Sequence, residues 1–216
     1  MSQRRAATAL LALCAACAHL PPLAPIPDAA RTATAARCQQ AFPPQPWRAA
    51  HTIVATLPLG HNGALIGVTA VGQAGLQSIL LSPEGISLFD GLQTTGTHAR
   101  LTIRRAVPPF DRPDFAAALI ADVGNAFLPP AGLPVAIGSY ATGETACRWS
   151  PSKSDTTDVE LAAAGPARIR TYRNSRVTRR IELLGTPDAG GFFPEVRLTV
   201  PGAGGYTLDM VLVEHE

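Results

Sequence analysis

The stretch Thr52-Ile-Val-Ala-Thr-Leu-Pro-Leu-Gly-His-Asn-Gly-Ala-Leu-Ile-Gly-Val-Thr-Ala-Val71 sets the fold class. Two runs rich in β-branched residues flank Gly60-His-Asn-Gly63, whose Asn-Gly dipeptide can take the positive φ values of a tight hairpin turn. The texture repeats downstream. Gly72 to Gly75 turns the chain into Leu76–Leu81, Ser82-Pro-Glu-Gly85 turns it again, and Ile86–Asp90 alternates before Gly91. Leu101 and Ile103 share one face of the next strand. Residues 142–149, 167–172, 177–184, 195–200 and 206–214 have the same short-strand pattern, clearest where Val196, Leu198 and Val200 alternate with Arg197 and Thr199.

One segment has the helical period. Phe115, Leu119, Val123 and Phe127 recur every four residues with Ile120 beside them, after start signals at Asp111, Pro113 and Asp114 and before the stop Pro129-Pro130. A lone helix of this length is marginal in water, so its apolar stripe must pack on the sheet. The expectation is a mainly β domain: one curved antiparallel sheet of about ten strands with a covering helix.

Composition agrees and narrows the function. Hydrophobic residues make up 46% of the 216 and charged residues 16%, with 19 Gly and 20 Pro spread along the chain, a frequency of breakers that suits strands and turns. A net charge of +2 is too small for a phosphate-driven nucleic-acid binder. The histidines at 19, 51, 61, 98 and 215 show no metal-ligand spacing, and no metal or other cofactor is expected. Ser139 lacks a nucleophile-elbow context, Asp111 and Asp114 suit helix capping, and the single lysine, Lys153, excludes a phosphate loop. No enzyme chemistry emerges. The run from Arg168 to Arg180 holds six arginines in a hairpin-like segment. It reads as a solvated face or, more specifically, as a patch in which Arg168, Arg170 and Arg173 contact a partner or anionic headgroups.

The N-terminus reads as an address. Arg4 and Arg5 precede an apolar stretch from Ala6 to Ala16, the layout of a bacterial secretory signal. Ala15-Ala16-Cys17 resembles the lipobox of bacterial lipoproteins, with Cys14 where that motif usually has Leu. The resemblance implies removal of residues 1–16 and attachment of acyl chains (diacylglycerol, palmitate) to Cys17. Residues 17–46, with prolines at 21, 22, 25, 27, 43, 44 and 46, then read as an extended tether, and residues 47–216 as the domain. Ala18 lacks the Asp of an inner-membrane retention signal, which favours the outer membrane, facing the periplasm. Removing the signal takes away two arginines and leaves a formally neutral chain. Cys38 and Cys147 then remain in an oxidising compartment, as a disulfide or as two unpaired thiols.

A lipidated cysteine, Pro46-Trp47-Arg48 at the end of the tether, and the strand–turn–strand Ile79-Leu-Leu-Ser-Pro-Glu-Gly85 followed by Ile86–Phe89 resemble LolB-type outer-membrane lipoprotein receptors and their carrier LolA. A less studied family of short LolB-related outer-membrane lipoproteins is similar too. The resemblance implies a half-open antiparallel barrel with an apolar concave face that accepts acyl chains. It also implies a monomer that takes membrane lipid or acyl cargo and meets a LolA-like periplasmic carrier. Glu84 stands where LolB-like turns present a leucine, which points to cargo other than lipoproteins. Candidate lining residues are Ile66, Val68, Leu80, Ile86, Leu88, Ile103, Leu119, Val123, Phe127, Val196, Leu198, Leu208 and Met210. The rival reading is a scaffolding or assembly lipoprotein that docks a periplasmic partner without cargo.

Overall fold

The computed structural model describes residues 19–57, 62–94, 99–162 and 167–216. The signal segment, Cys17, His61 and His98 lie outside them. The deciding hairpin forms, with β2 (Trp47–Thr56) antiparallel to β3 (Asn62–Gly72) from Trp47↔Val71 to Thr56↔Asn62. Asn62 and Gly63 open β3 instead of making the turn, because Gly63 pairs with Ala55. β4 (Gly75–Leu81), β5 (Ser87–Gln93) and β6 (Leu101–Ala106) extend this half as a meander. Gly75 closes the β3–β4 hairpin at φ 123°, where a Cβ would lie 2.0 Å from the Gln93 carbonyl oxygen, so only glycine fits.

The other half holds β7 (Ala136–Ser139), β8 (Thr145–Trp149), β9 (Asp155–Leu161), β10 (Ala167–Arg173), β11 (Arg176–Leu184), β12 (Glu195–Val200) and β13 (Tyr206–His215). With β1 (Ala24–Pro25) they complete one 13-stranded antiparallel sheet, ordered β1-β7-β8-β9-β10-β11-β12-β13-β2-β3-β4-β5-β6. The last strand therefore joins the halves by pairing with β2, and Arg48 and Glu216 exchange backbone hydrogen bonds of 2.9 Å. β1 and β6 are edges that do not pair with each other, so the barrel stays open. The arginine-rich segment is a hairpin as expected; it turns on Asn174 and Ser175, both at positive φ (50° and 62°).

Among the described residues, two helices accompany the sheet. α2 (Pro113–Phe127) is the expected one, with Pro113 at its start and Ala116, Leu119, Ile120, Ala126 and Phe127 buried. The buried stripe is rotated from the expected one, leaving Phe115 36% exposed. α1 (Asp28–Gln39) corrects the reading of residues 17–46 as an extended tether. Between the prolines, Asp28-Ala-Ala-Arg-Thr-Ala-Thr-Ala-Ala-Arg-Cys-Gln39 is rich in strong helix formers, with Asp28 at the positive and Arg37 at the negative end of the dipole. The helix buries Thr34 and Cys38, and Cys38 forms a disulfide with Cys147 of β8. The short β1 and β7 were not foreseen, and neither was β9, which reads Asp-Thr-Thr-Asp-Val-Glu-Leu and is buried on both faces. One core cluster draws side chains from β2–β5, from β8–β13 and from α2, so the sheet wraps around that helix.

Candidate functional site

The seat of α2 is a trough built into β2–β5 by residue size. Ala49, Thr69, Ser78 and Gly91 are cross-strand partners in sequence, a continuous row of small side chains across four strands. Larger rows bound it: Trp47, Val71 and Leu76 on one side, His51, Gly67, Leu80 and Phe89 on the other, with Gly67 as the one small member. α2 lies across the strands along this row. Ile120 Cδ1 is 3.4 Å from where a Gly91 Cβ would stand, a Gly124 Cβ would stand 3.7 Å from Leu76 Cδ2, and the Phe127 ring reaches Trp47 and His51. The seven helical steps from Ile120 to Phe127 rise ~10 Å, comparable to the ~14 Å of three strand spacings.

The opposite flank of α2 is pinned electrostatically. Asp122, 1% exposed, accepts hydrogen bonds from Arg179 Nε of β11 and from the Tyr206 hydroxyl of β13. Burial pushes the Asp122 carboxyl above its usual range, and the Arg179 charge opposes that shift. The Asp122 carboxyl, bonded through both oxygens, ties α2 to β11 and β13.

Leu80, Leu119, Phe127, Val196, Leu198 and Met210 are buried in the core, with Val123 and Leu208 packed on it. They pack together in one core cluster around α2. The remaining lining assignments are corrected. Ile66 and Val68 alternate with the buried Gly67 and Thr69 and so face outward. The usual inference from hydrophobicity inverts here, because the helix needs small residues on the inner face. Leu88 is likewise displaced outward by Phe89, which is fully buried. Ile86 is 58% exposed in a turn, and Ile103 is 39% exposed on the edge strand β6 beside a bulge at Asp90/Gly91.

At the β2 end of the trough, Trp47 packs edge-on against Phe127 and Phe192, ring centroids 5.8 and 5.5 Å apart, and His51 lies 5.1 Å from Phe127. Burial lowers the His51 pKa from 6.5 to about 4. Trp47 Nε1 and His51 Nε2 are buried without hydrogen-bond partners, a cost of about 1–3 kcal/mol for each such group. Nothing in the hydropathy pattern flags either residue.

The three arginines expected to contact a partner or headgroups are matched inside the chain. Arg168 pairs with Glu182 (3.5 Å) and Glu144 (3.9 Å), Arg170 with Glu160 (2.9 Å) and Arg173 with Asp155 (3.0 Å). Behind them lies a polar layer that sequence reasoning missed. Asp158, fully buried, accepts from Arg148 Nε and Nη2 (both 2.7 Å) and from the Tyr140 hydroxyl (2.6 Å), while Arg148 Nη2 also donates to the Pro21 carbonyl. Glu160, 2% exposed, is pushed up to about 7, mainly by burial. The alternation Thr156, Asp158, Glu160 was the available signal, but polar alternation ordinarily marks a solvent face. Among the described residues no group of three or more His, Cys, Asp or Glu side chains could hold a metal ion, and no helix is long and apolar enough to cross a membrane.

No protein-family model matches this sequence, and neither does any curated protein. Solved structures do resemble it. A domain named for outer-membrane lipoprotein sorting, from Vibrio parahaemolyticus, superposes with a TM-score of 0.51 at 8% identity, covering 87% of this chain and 92% of that one. A LolA superfamily protein from Nitrosomonas europaea gives 0.51 at 10% identity, covering 86% and 92%. A DUF1329 family protein from Desulfovibrio piger gives 0.53 at 11% identity, covering 89% and 93%. An open antiparallel sheet wrapped around a helix, matched over most of its length by these proteins, is the LolA-like fold.

Proposed function

We propose that this protein is a bacterial envelope lipoprotein that carries a lipid or acyl chain in the trough beneath α2. The observation that carries the reading is the size-selected row Ala49, Thr69, Ser78 and Gly91 under a helix held to the other half of the barrel by Asp122, Arg179 and Tyr206. With α2 seated, its apolar face occupies the concavity. With α2 lifted, the same trough, apolar apart from the Thr69 and Ser78 hydroxyls, offers an acyl chain a surface, and each methylene moved out of water contributes about 0.8 kcal/mol. The superpositions on a LolA superfamily protein and a lipoprotein-sorting domain support a carrier function.

In this reading, residues 1–16 direct export, Cys17 carries the acyl anchor, and the domain works at the periplasmic face of the outer membrane, exchanging cargo with a LolA-like carrier. Glu84, in the exposed turn after β4, favours acyl or lipid cargo over lipoproteins. Native mass spectrometry of protein released gently from cell envelopes tests this: co-purifying acyl species are expected, and a protein that stays empty and ignores added lipid would end the carrier reading. The filled core favours the second reading, a scaffolding lipoprotein without cargo. Its docking surface would include the outward Val54, Val211 and Val213, which are 50%, 47% and 60% exposed. In that case the empty protein would still capture a periplasmic partner.

A further inference from the structure

Trp47 and His51, on the inner face of β2 beside the seat of α2, each leave one buried nitrogen without a hydrogen-bond partner. They stand four residues apart on the inner face of β2, 5% and 3% exposed, with the small Ala49 between them. Phe127, from the last turn of α2, touches both rings and so fills the space above Ala49. Neither Trp47 Nε1 nor His51 Nε2 finds a partner. The other buried unpartnered side-chain atoms among the described residues belong to Glu144, Glu160 and Tyr172, in the polar layer of the opposite half. The contrast with the other tryptophan is instructive: Trp149 Nε1 donates to the Gly132 carbonyl at 3.1 Å.

An indole N–H can only donate, and a neutral imidazole offers one donor and one acceptor nitrogen. His51 is neutral near pH 7, since burial disfavours its charged form. A ligand group that completes Trp47 must therefore accept a hydrogen bond, and it completes His51 too in the tautomer that carries its proton on Nε2; it must be small enough for the space that Phe127 vacates and continuous with an apolar chain lying along the row toward Gly91. We infer that Trp47 Nε1–H and His51 Nε2–H hold the carbonyl oxygen at the head of an acyl chain, which takes the place of Phe127 when the last turn of α2 lifts. The inference rests on the carrier reading and gives its ligand a polarity and an orientation: head between Trp47 and His51, tail toward β5.

The test uses the full mature chain, ¹⁵N-labelled and titrated separately with palmitic acid, methyl palmitate and hexadecane. The sequence has two tryptophans, so the Trp47→Phe variant assigns both indole N–H signals. The Trp47 signal is expected to move downfield with a carbonyl-bearing ligand and not with hexadecane, while the Trp149 signal stays in place. Movement with palmitic acid alone makes the head a free carboxyl group; movement with the ester as well makes it any acyl carbonyl. Trp47→Phe and His51→Phe should each weaken binding of the responding ligand about five- to tenfold, the usual effect of one lost hydrogen bond, and leave hexadecane unchanged. A Trp47 signal that stays still at saturation with both carbonyl ligands overturns the inference, and so does an equal loss for hexadecane in the variants. If the wild-type chain binds none of the three, it is the carrier reading that fails.

Discussion

The two halves of the barrel hold the same helix and the same sheet by different physics. In β2–β5, α2 is seated by shape alone: small residues in register, bulky walls, and outward Ile66 and Val68 where an ordinary strand would turn them in. In β7–β11, the structure is cross-linked. A disulfide ties α1 to β8, Asp158 gathers Arg148 and Tyr140, and Glu160 meets Arg170. Packing contacts are short-ranged and can be exchanged for other apolar contacts. A disulfide or a buried ion pair has no such substitute, so this half is suited to serve as the frame and the β2–β5 trough as the surface that releases its helix.

That contrast can be broken from the frame side first. Cys147→Ala, or reduction of the Cys38–Cys147 bond, opens a loop with a sequence separation of 109 and should cost about 4 to 5 kcal/mol, read from urea midpoints with and without reductant. An unchanged midpoint would mean that α1 is not part of the frame. Next in size, Asp158→Asn leaves Arg148, whose side chain is 12% exposed, without its carboxylate and should cost about 3 kcal/mol in the same assay. On the trough side, Ser78→Leu inserts bulk beneath α2 and should cost about 2 kcal/mol. Hydrogen exchange should speed up in α2 and not in β8–β10. Equal acceleration in both would show the halves to be one unit.

The smallest effect is pH-dependent and has opposite signs in the two halves. Glu160 is raised from 4.5 to about 7, so its contribution is full below about 4.5 and lost as pH rises through about 7. His51 is lowered from 6.5 to about 4, so its contribution is full above about 6.5 and lost as pH falls through about 4. Between these limits the slopes offset in the wild type. Glu160→Gln should therefore unmask a loss of about 1 to 2 kcal/mol on acidification, and His51→Phe a similar loss on alkalinisation. Parallel pH curves for the two variants would remove the electrostatic half of the comparison.

Much of the architecture was legible because it follows from local pattern. Alternation located β2 to β5, β12 and β13, the four-residue period located α2, and Cys38 and Cys147 stood out as a disulfide candidate with two free thiols as the alternative. What misled was local pattern read without its surroundings. Prolines at 21–27 and 43–46 masked the helix-forming run between them, and β9 hid because its polar side chains are buried beside Arg148, Arg170 and Tyr140. The trough was invisible for a related reason: Ala49, Thr69, Ser78 and Gly91 are distant in the chain and become one row only through strand register.

The sequence by itself therefore determined that a mainly β, turn-rich domain would form and that one amphipathic helix would need a sheet to cover, since both depend on near-neighbour periodicity. Tertiary structure alone decided which face of β3 and β5 looks inward, which arginines are neutralised, and that Trp47 and His51 lie buried under Phe127 with a polar atom unpaired on each. Those outcomes depend on how strands far apart in the chain align, and no local pattern encodes that alignment.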